Sequence, residues 1–279
     1  MVHIVQLTDL HVRPFGLPAY RVSESNMLVE RALRAVGRLR PVPDAVIITG
    51  DLTDCGLAAE YAELKAMLAR EIAVPLYVIP GNHDRREAFL EAFGMQPAPA
   101  GFVDYAVDVG PVRLVMLDTI IPGSGAGELR PPQLAWLDET LAAVPGKPTM
   151  IGMHHPAFAT GILHMDAILL QNPETFAEVV DRHPQVQLIA AGHVHRQITS
   201  RIAHSVAITC PSVVTQVSFD MRTGAVSSFV KEPPQFGLHR WTPEYGFVSH
   251  TAFVEEYEGP YPFVLPPEYP GRPEGIGGG

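Results

Sequence analysis

"LYVIPGNHDRR", residues 76–86, is a short apolar run that ends abruptly in a turn carrying an amide, an imidazole and a carboxylate. The run has the make-up of a strand buried on both faces. Gly81 permits a tight turn, and Asn and Asp suit such positions. The tip therefore delivers Asn82, His83 and Asp84 together. Taken alone, the stretch is equally well a strand leaving a core. Its meaning depends on whether the rest of the chain repeats the pattern.

The pattern recurs. "HIVQL" (3–7) runs into Thr8, Asp9 and His11, and "DAVIIT" (44–49) runs into Gly50 and Asp51, with Asp54 close behind. "PTMIGM" (148–153) runs into His154 and His155, and "VQLIAA" (186–191) into Gly192, His193 and His195. "VRLVML" (112–117) is a further apolar run. Between most of them lie helical patterns at 23–39, 57–71, 131–144 and 173–183. The first opens on Ser23 as an N-cap, and the last two begin on prolines suited to a first turn. Alternating strands and helices predict an α/β fold with helices packed on the sheet faces. In open α/β sheets, ligand sites form at the carboxyl ends of the strands, where every one of these polar clusters falls.

The residue types are chemically coherent. Asp oxygen, His nitrogen and the Asn carbonyl ligate first-row divalent or trivalent ions such as Fe, Mn, Zn or Co, and no thiolate is among them. Asp9, His11, Asp51, Asn82, His154, His193 and His195 are too many for one ion. They suffice for two if one carboxylate bridges, and Asp51, central in chain order and preceded by Gly50, is the expected bridge. Two ions about 3.5–4 Å apart clamp the attacking and leaving oxygens of phosphoryl chemistry. Each fragment alone is a weak signal, but the ordered set, each member following an apolar strand, is strong.

"LTDLH", "GDLTD", "GNHD", "MHHP" and "GHVH", in that order, resemble the calcineurin-like metallophosphoesterases. The resemblance implies an αββα sandwich of two sheets flanked by helices. It also implies a dinuclear centre with Asp9, His11, Asp51 and His195 on one ion and Asp51, Asn82, His154 and His193 on the other. His83 is then the catalytic residue that contacts the phosphate and protonates the leaving oxygen. Asp84 is expected either to orient His83 or to cap the helix that starts near Arg85. His155 is left behind the metals or in the substrate pocket. "QLTDLHVRPFG", "YVIPGNHD", "HHPAFATGILHMD" and "GHVHR" resemble more closely the bacterial branch of cyclic-nucleotide phosphodiesterases and glycerophosphodiesterases. The implied activity is hydrolysis of a small phosphodiester by hydroxide formed at the metal pair. His164, Asp166 and Asn172 are candidate substrate contacts, with a helix cap as the alternative. A phosphomonoesterase or nuclease using the same centre, and a non-catalytic scaffold, are the competing readings. The division expected is a catalytic core at 1–200, a continuation of the second sheet with oligomerisation elements at 201–258, and a Pro/Gly-rich tail at 259–279.

Composition sets the outer limits. A chain of 279 residues with 47% hydrophobic content can bury a sizeable core. Its net charge of −10 disfavours a stable, sequence-independent grip on nucleic acid. No apolar run approaches the roughly 18 residues that span a bilayer, and "MVHIVQLTDLH" lacks the pattern of a secretory signal. Only Cys55 and Cys210 are present, which fits a reducing cytoplasm. The expected partners are a small phosphodiester and a second copy of the chain. No membrane partner is expected. "GSGAGE" (123–128) reads as a loop, and His3, His183, His204, His239 and His250 as structural residues.

Overall fold

Every apolar run named above becomes a strand in the computed structural model, which describes residues 1–261. The expected tail therefore lies almost wholly outside the described residues. The first sheet contains β1 (Val2–Leu7), β2 (Ala45–Thr49) and β3 (Leu76–Ile79), paired in parallel. The second contains β4 (Tyr105–Val109), β5 (Val112–Leu117), β6 (Thr149–Met153), β7 (Val186–Ala191), β8 (Ile198–Ile202) and β9 (Ser205–Thr209), in the order β4-β5-β6-β7-β9-β8. A two-stranded ribbon, β10 (Gln216–Val217) with β11 (Phe229–Val230), follows it. Then β12 (Gln235–Thr242) and β13 (Gly246–Phe253) return to the first sheet, β12 lying antiparallel to β1.

Side-chain alternation explains why the central runs are apolar throughout. Ile4, Ala45, Ile47 and Ile79 of the first sheet meet Leu114, Met116, Met150 and Leu188 of the second. The residues between them face outward. Val5, Leu7, Val46 and Ile48 pack under α1 (Ser25–Gly37), α2 (Ala58–Glu71) and α3 (Arg86–Phe93). Val115, Ile151 and Ile189 pack under α4 (Pro131–Ala142) and α6 (Pro173–Asp181), and the one-turn α5 (Leu163–Asp166) lies between those two in the chain. The result is the expected helix–sheet–sheet–helix sandwich.

Two details differ from expectation. Residues 201–258 do not simply continue the second sheet: β9 does, whereas β12 and β13 extend the first. Their long antiparallel pairing uses the free side of β1, and no local pattern reveals which sheet has that vacancy. Nor does Ser23 cap α1. Its backbone closes a turn with Ala19, and its hydroxyl is buried without a partner. No helix among the described residues is long and apolar enough to cross a membrane.

Candidate metal centre

Parallel pairing sends the carboxyl ends of neighbouring strands to one edge, and hydrogen bonds within and between the sheets join those ends. The His193 N–H donates to Asp9 Oδ2 (3.0 Å), and the Gly192 N–H donates to the His154 carbonyl (3.0 Å). The turns there are strained. Asp9, His11, Asp51, His193 and His195 have φ of 53°, 44°, 49°, 70° and 51°, a region that non-glycine residues rarely adopt and that costs on the order of 1–3 kcal/mol each. Surrounding bonds hold them, among them Leu10 and His11 N–H to the Asp51 carbonyl at 2.8 and 3.0 Å. Gly81 leaves the room required: a Cβ there would lie 2.3 Å from both the amide nitrogen and Oδ1 of Asp51.

Within this edge, the seven candidate ligands aim acceptor atoms at one another. Asp9 Oδ2 is occupied by the Thr8 hydroxyl (2.7 Å) and the His193 N–H. Its Oδ1 receives no hydrogen bond among the described residues and lies 3.2 Å from His195 Nε2. His195 Nδ1 donates to the Thr215 carbonyl (2.7 Å), so Nε2 presents its lone pair to Asp9 and to His11 Nε2, 3.3 Å away. His154 repeats the arrangement. Nδ1 donates to the Thr49 carbonyl (2.8 Å), and Nε2 faces Asn82 Oδ1 at 3.1 Å and Asp51 Oδ2 at 3.4 Å. Buried His193 Nε2 has no partner either. Asp51 stands between the two groups. Its Oδ1 accepts from the His83 N–H (2.8 Å), while Oδ2 lies 3.9 Å from His11 Nε2 as well as close to His154. Converging lone pairs repel unless a cation or proton sits among them. An all O/N donor set of this kind, doubled around one shared carboxylate, fits two transition-metal ions.

On side chains alone, protons balance the charge. Burial opposes the His154 imidazolium, but the Asp51 and Asp9 carboxylates hold its pKa up at about 9. Burial and the neighbouring imidazoles push His193 well below the usual histidine range, and His155 down to about 3. Burial would raise Asp51, yet His154 and His83 hold its carboxyl well below the ordinary value.

His83 lies half-buried at the mouth of the site. Its Nδ1 donates to the Asp54 carbonyl (2.9 Å), leaving Nε2 for the cavity. Burial disfavours its charge, but Asp51 and the Asp54 carbonyl outweigh that and raise its pKa. Asp84 takes neither expected role. It accepts from the N–H groups of Leu52, Thr53 and Gly81 and from the hydroxyls of Thr53 and Tyr61. The Asp84 side chain thus staples the Asp51 turn to the Asn82 turn, while Arg85 occupies the N-cap of α3. Asp54 is the residue the sequence reading underused. It stands in "GDLTD", holds His83 through its carbonyl and faces His11 Nδ1 with Oδ1 at 3.3 Å.

The remaining candidates separate. His164 lines the cavity beside the metal-facing residues, about 380 Å³ in volume. Asp166 does not: its carboxylate accepts from Thr160 and Gly161 and shapes the start of α5. Asn172 bonds both ways to the Leu129 backbone and ties two loops together. His155 is buried behind His193, with Nε2 on the Gly125 carbonyl (3.1 Å) and Nδ1 against the Thr119 hydroxyl (2.7 Å). Tyr20, Thr215, Val217 and Phe229 line the cavity and were not foreseen. They arrive from the turn after β1 and from the β10–β11 ribbon and the segment before it, with no motif around them.

Comparison with known proteins agrees with this geometry. The family model for calcineurin-like phosphoesterases matches residues 2–197. The probable glycerophosphodiester phosphodiesterase GpdQ of Arcobacter nitrofigilis is 36% identical over 263 residues, 93% of this chain and 96% of that protein. The 3',5'-cyclic adenosine monophosphate phosphodiesterase CpdA of Pseudomonas aeruginosa is 30% identical over 219 residues, 77% of each chain. A dimetal phosphatase from Danio rerio shares the fold at a TM-score of 0.62, with 17% identity over 91% of this chain and 99% of that one. The ordered motifs, their meeting at one sheet edge and the match over residues 2–197 together make this chain a member of the calcineurin-like phosphoesterase family.

Proposed function

We propose that the protein hydrolyses small phosphodiesters, a 3',5'-cyclic nucleotide or a glycerophosphodiester, at a centre of two transition-metal ions. Fe, Mn, Zn and Co all suit the donors. The observation that carries the reading is the pair of lone-pair clusters sharing Asp51 Oδ2. Asp9, His11, Asp51 and His195 would hold one ion, and Asp51, Asn82, His154 and His193 the other. Such ions supply water activation near neutral pH and charge neutralisation on phosphoryl oxygens.

The chain's own residues account for the rest. Asp9 and Asp51 contribute two negative charges, and Asp54 beside His11 a third, against the four positive charges of two divalent ions, which leaves these groups net positive inside an acidic protein. Thr49 and Thr215 carbonyls fix the tautomers of His154 and His195 and turn their Nε2 atoms inward. His83, with Nδ1 held by Asp54, offers a protonated Nε2 to the departing oxygen. The names of the similar proteins above support a diester over a monoester. The net charge of −10 speaks against a nuclease.

The test is a panel on protein reconstituted with Mn, Fe, Co or Zn. Cyclic AMP, glycerophosphoethanolamine and bis(p-nitrophenyl) phosphate are compared with p-nitrophenyl phosphate. Faster turnover of at least one diester than of the monoester is expected. No turnover with any metal would return the protein to a scaffold role.

A further inference from the structure

The cavity has a second wall beside the metal-facing residues, the Tyr20 ring lying 5.6 Å from that of His11. Tyr20 and Phe229 stand there with ring centroids 5.2 Å apart and planes tilted by 41°, backed by Met165 and Val217. This wall is built in advance. Tyr20 occupies the tip of a turn closed by paired hydrogen bonds between Ala19 and Ser23, at 2.8 and 2.9 Å, with φ of 49° at Tyr20 and 64° at Arg21. Phe229 is held opposite Val217 in the β10–β11 ribbon, and the Lys231 ammonium reaches the Val22 carbonyl, joining ribbon to turn. Tyr20 also stands 6.3 Å from the His83 ring. A substituent on the departing oxygen therefore meets this wall.

Polar groups without partners border the aromatic face. Both ring nitrogens of His164 and the Thr215 hydroxyl are buried and make no hydrogen bond among the described residues, and both residues line the cavity. A glycerol group carries hydroxyls in every direction and gains little against an apolar wall. A nucleobase has two apolar π-faces and a hydrogen-bonding rim, and stacking on aromatic side chains is how proteins commonly hold one.

Building on the diester reading above, we propose that Tyr20 and Phe229 form a stacking platform for a heteroaromatic ester substituent whose polar rim meets His164 and Thr215. The site then selects nucleotide diesters over glycerol diesters.

The experiment compares metal-loaded wild type with Tyr20→Ala, Tyr20→Phe and Phe229→Ala, with thermal unfolding as a check on folding. Substrates are cyclic AMP and glycerophosphoethanolamine, and calorimetric titration with AMP reads binding without turnover. Either alanine variant should lower kcat/KM for cyclic AMP about tenfold or more, mainly through KM, and weaken AMP binding in parallel. Glycerophosphoethanolamine should change by less than about threefold, and Tyr20→Phe should stay near wild type. Equal losses on both substrates, or none on cyclic AMP, would overturn the platform. Wild type that binds AMP through Phe229 but cleaves no diester would keep the platform and refute the hydrolase. Diester cleavage without any aromatic preference would do the reverse.

Discussion

Asp51 shows how one residue serves two groups. Oδ1 is committed to the His83 N–H, which leaves Oδ2 turned toward both His11 and His154. That commitment also fixes the backbone of the residue expected to protonate the leaving group. His83→Ala should therefore lower kcat on a diester with a poor leaving group by about 10²–10⁴-fold. The loss on bis(p-nitrophenyl) phosphate should be much smaller, since p-nitrophenolate departs without a proton. Steady-state rates on the two substrates check this, and equal losses would remove His83 from acid catalysis. Asp104 gives a second residue-level test, away from the site. Burial, only partly offset by hydrogen bonds from the Asp118 N–H and the Gln133 amide, pushes its carboxyl from 3.8 up to about 7. A raised acid favours the fold in its protonated form. Its contribution is thus full below about pH 4 and is lost as pH climbs through 7. Asp104→Asn should gain stability relative to wild type between pH 5 and pH 8, measured by urea unfolding. A difference independent of pH would mean that Asp104 is not protonated in the fold.

Elements explain why the donors meet. Each comes from a turn after a strand, and those turns touch so closely that ordinary side chains do not fit between them. Gly81→Ala would force its Cβ into the Asp51 turn. The fold should persist by circular dichroism while metal affinity falls about 10–100-fold, the range seen when supporting groups around a metal are disturbed. Unchanged affinity would show that the spacing of the turns is not limiting. The turns are also where the sequence was most legible. Apolar runs buried on both faces announce themselves, and polar residues at their ends stand within two or three positions of the last buried one. Asp9, His11, Asn82 and His193 could be located for that reason. Asp84 could not be read correctly, because its partners Leu52, Thr53 and Tyr61 lie more than twenty residues away and only the folded turns bring them together. Tyr20 and Phe229 meet only because β11 and the turn after β1 are brought together in space. The same limit misplaced β12 and β13: β12 takes the first strand of the chain as its antiparallel partner, and β13 follows β12.

At the scale of the molecule, this pairing changes the case for self-association. β12 finds its partner in β1 and β13 pairs with β12, so both strands belong to the first sheet of their own chain, with β13 at its edge. The loop between β10 and β11 carries exposed apolar side chains: Phe219, Met221 and Val226 are 68%, 52% and 79% exposed. Exposed apolar side chains on one loop are the kind of surface that another protein covers. A homodimer built on this loop should sediment at twice the chain mass of 30.4 kDa at micromolar concentration. Phe219→Asp with Val226→Asp should reduce it to a monomer. A wild type that sediments as a monomer at that concentration would refute self-association. With two cations bound, an electropositive centre inside an acidic chain should attract small anions locally and disfavour long polyanions.

The central claim is that two cations sit at one sheet edge and share Asp51. Anomalous X-ray scattering from crystals of the Mn-loaded protein tests it most directly. The account predicts two peaks per chain, about 3.5–4 Å apart, with Asp51 Oδ2 between them, Asp9, His11 and His195 around one, and Asn82, His154 and His193 around the other. A single peak, peaks elsewhere in the fold, or a pair not joined through Asp51 would contradict it.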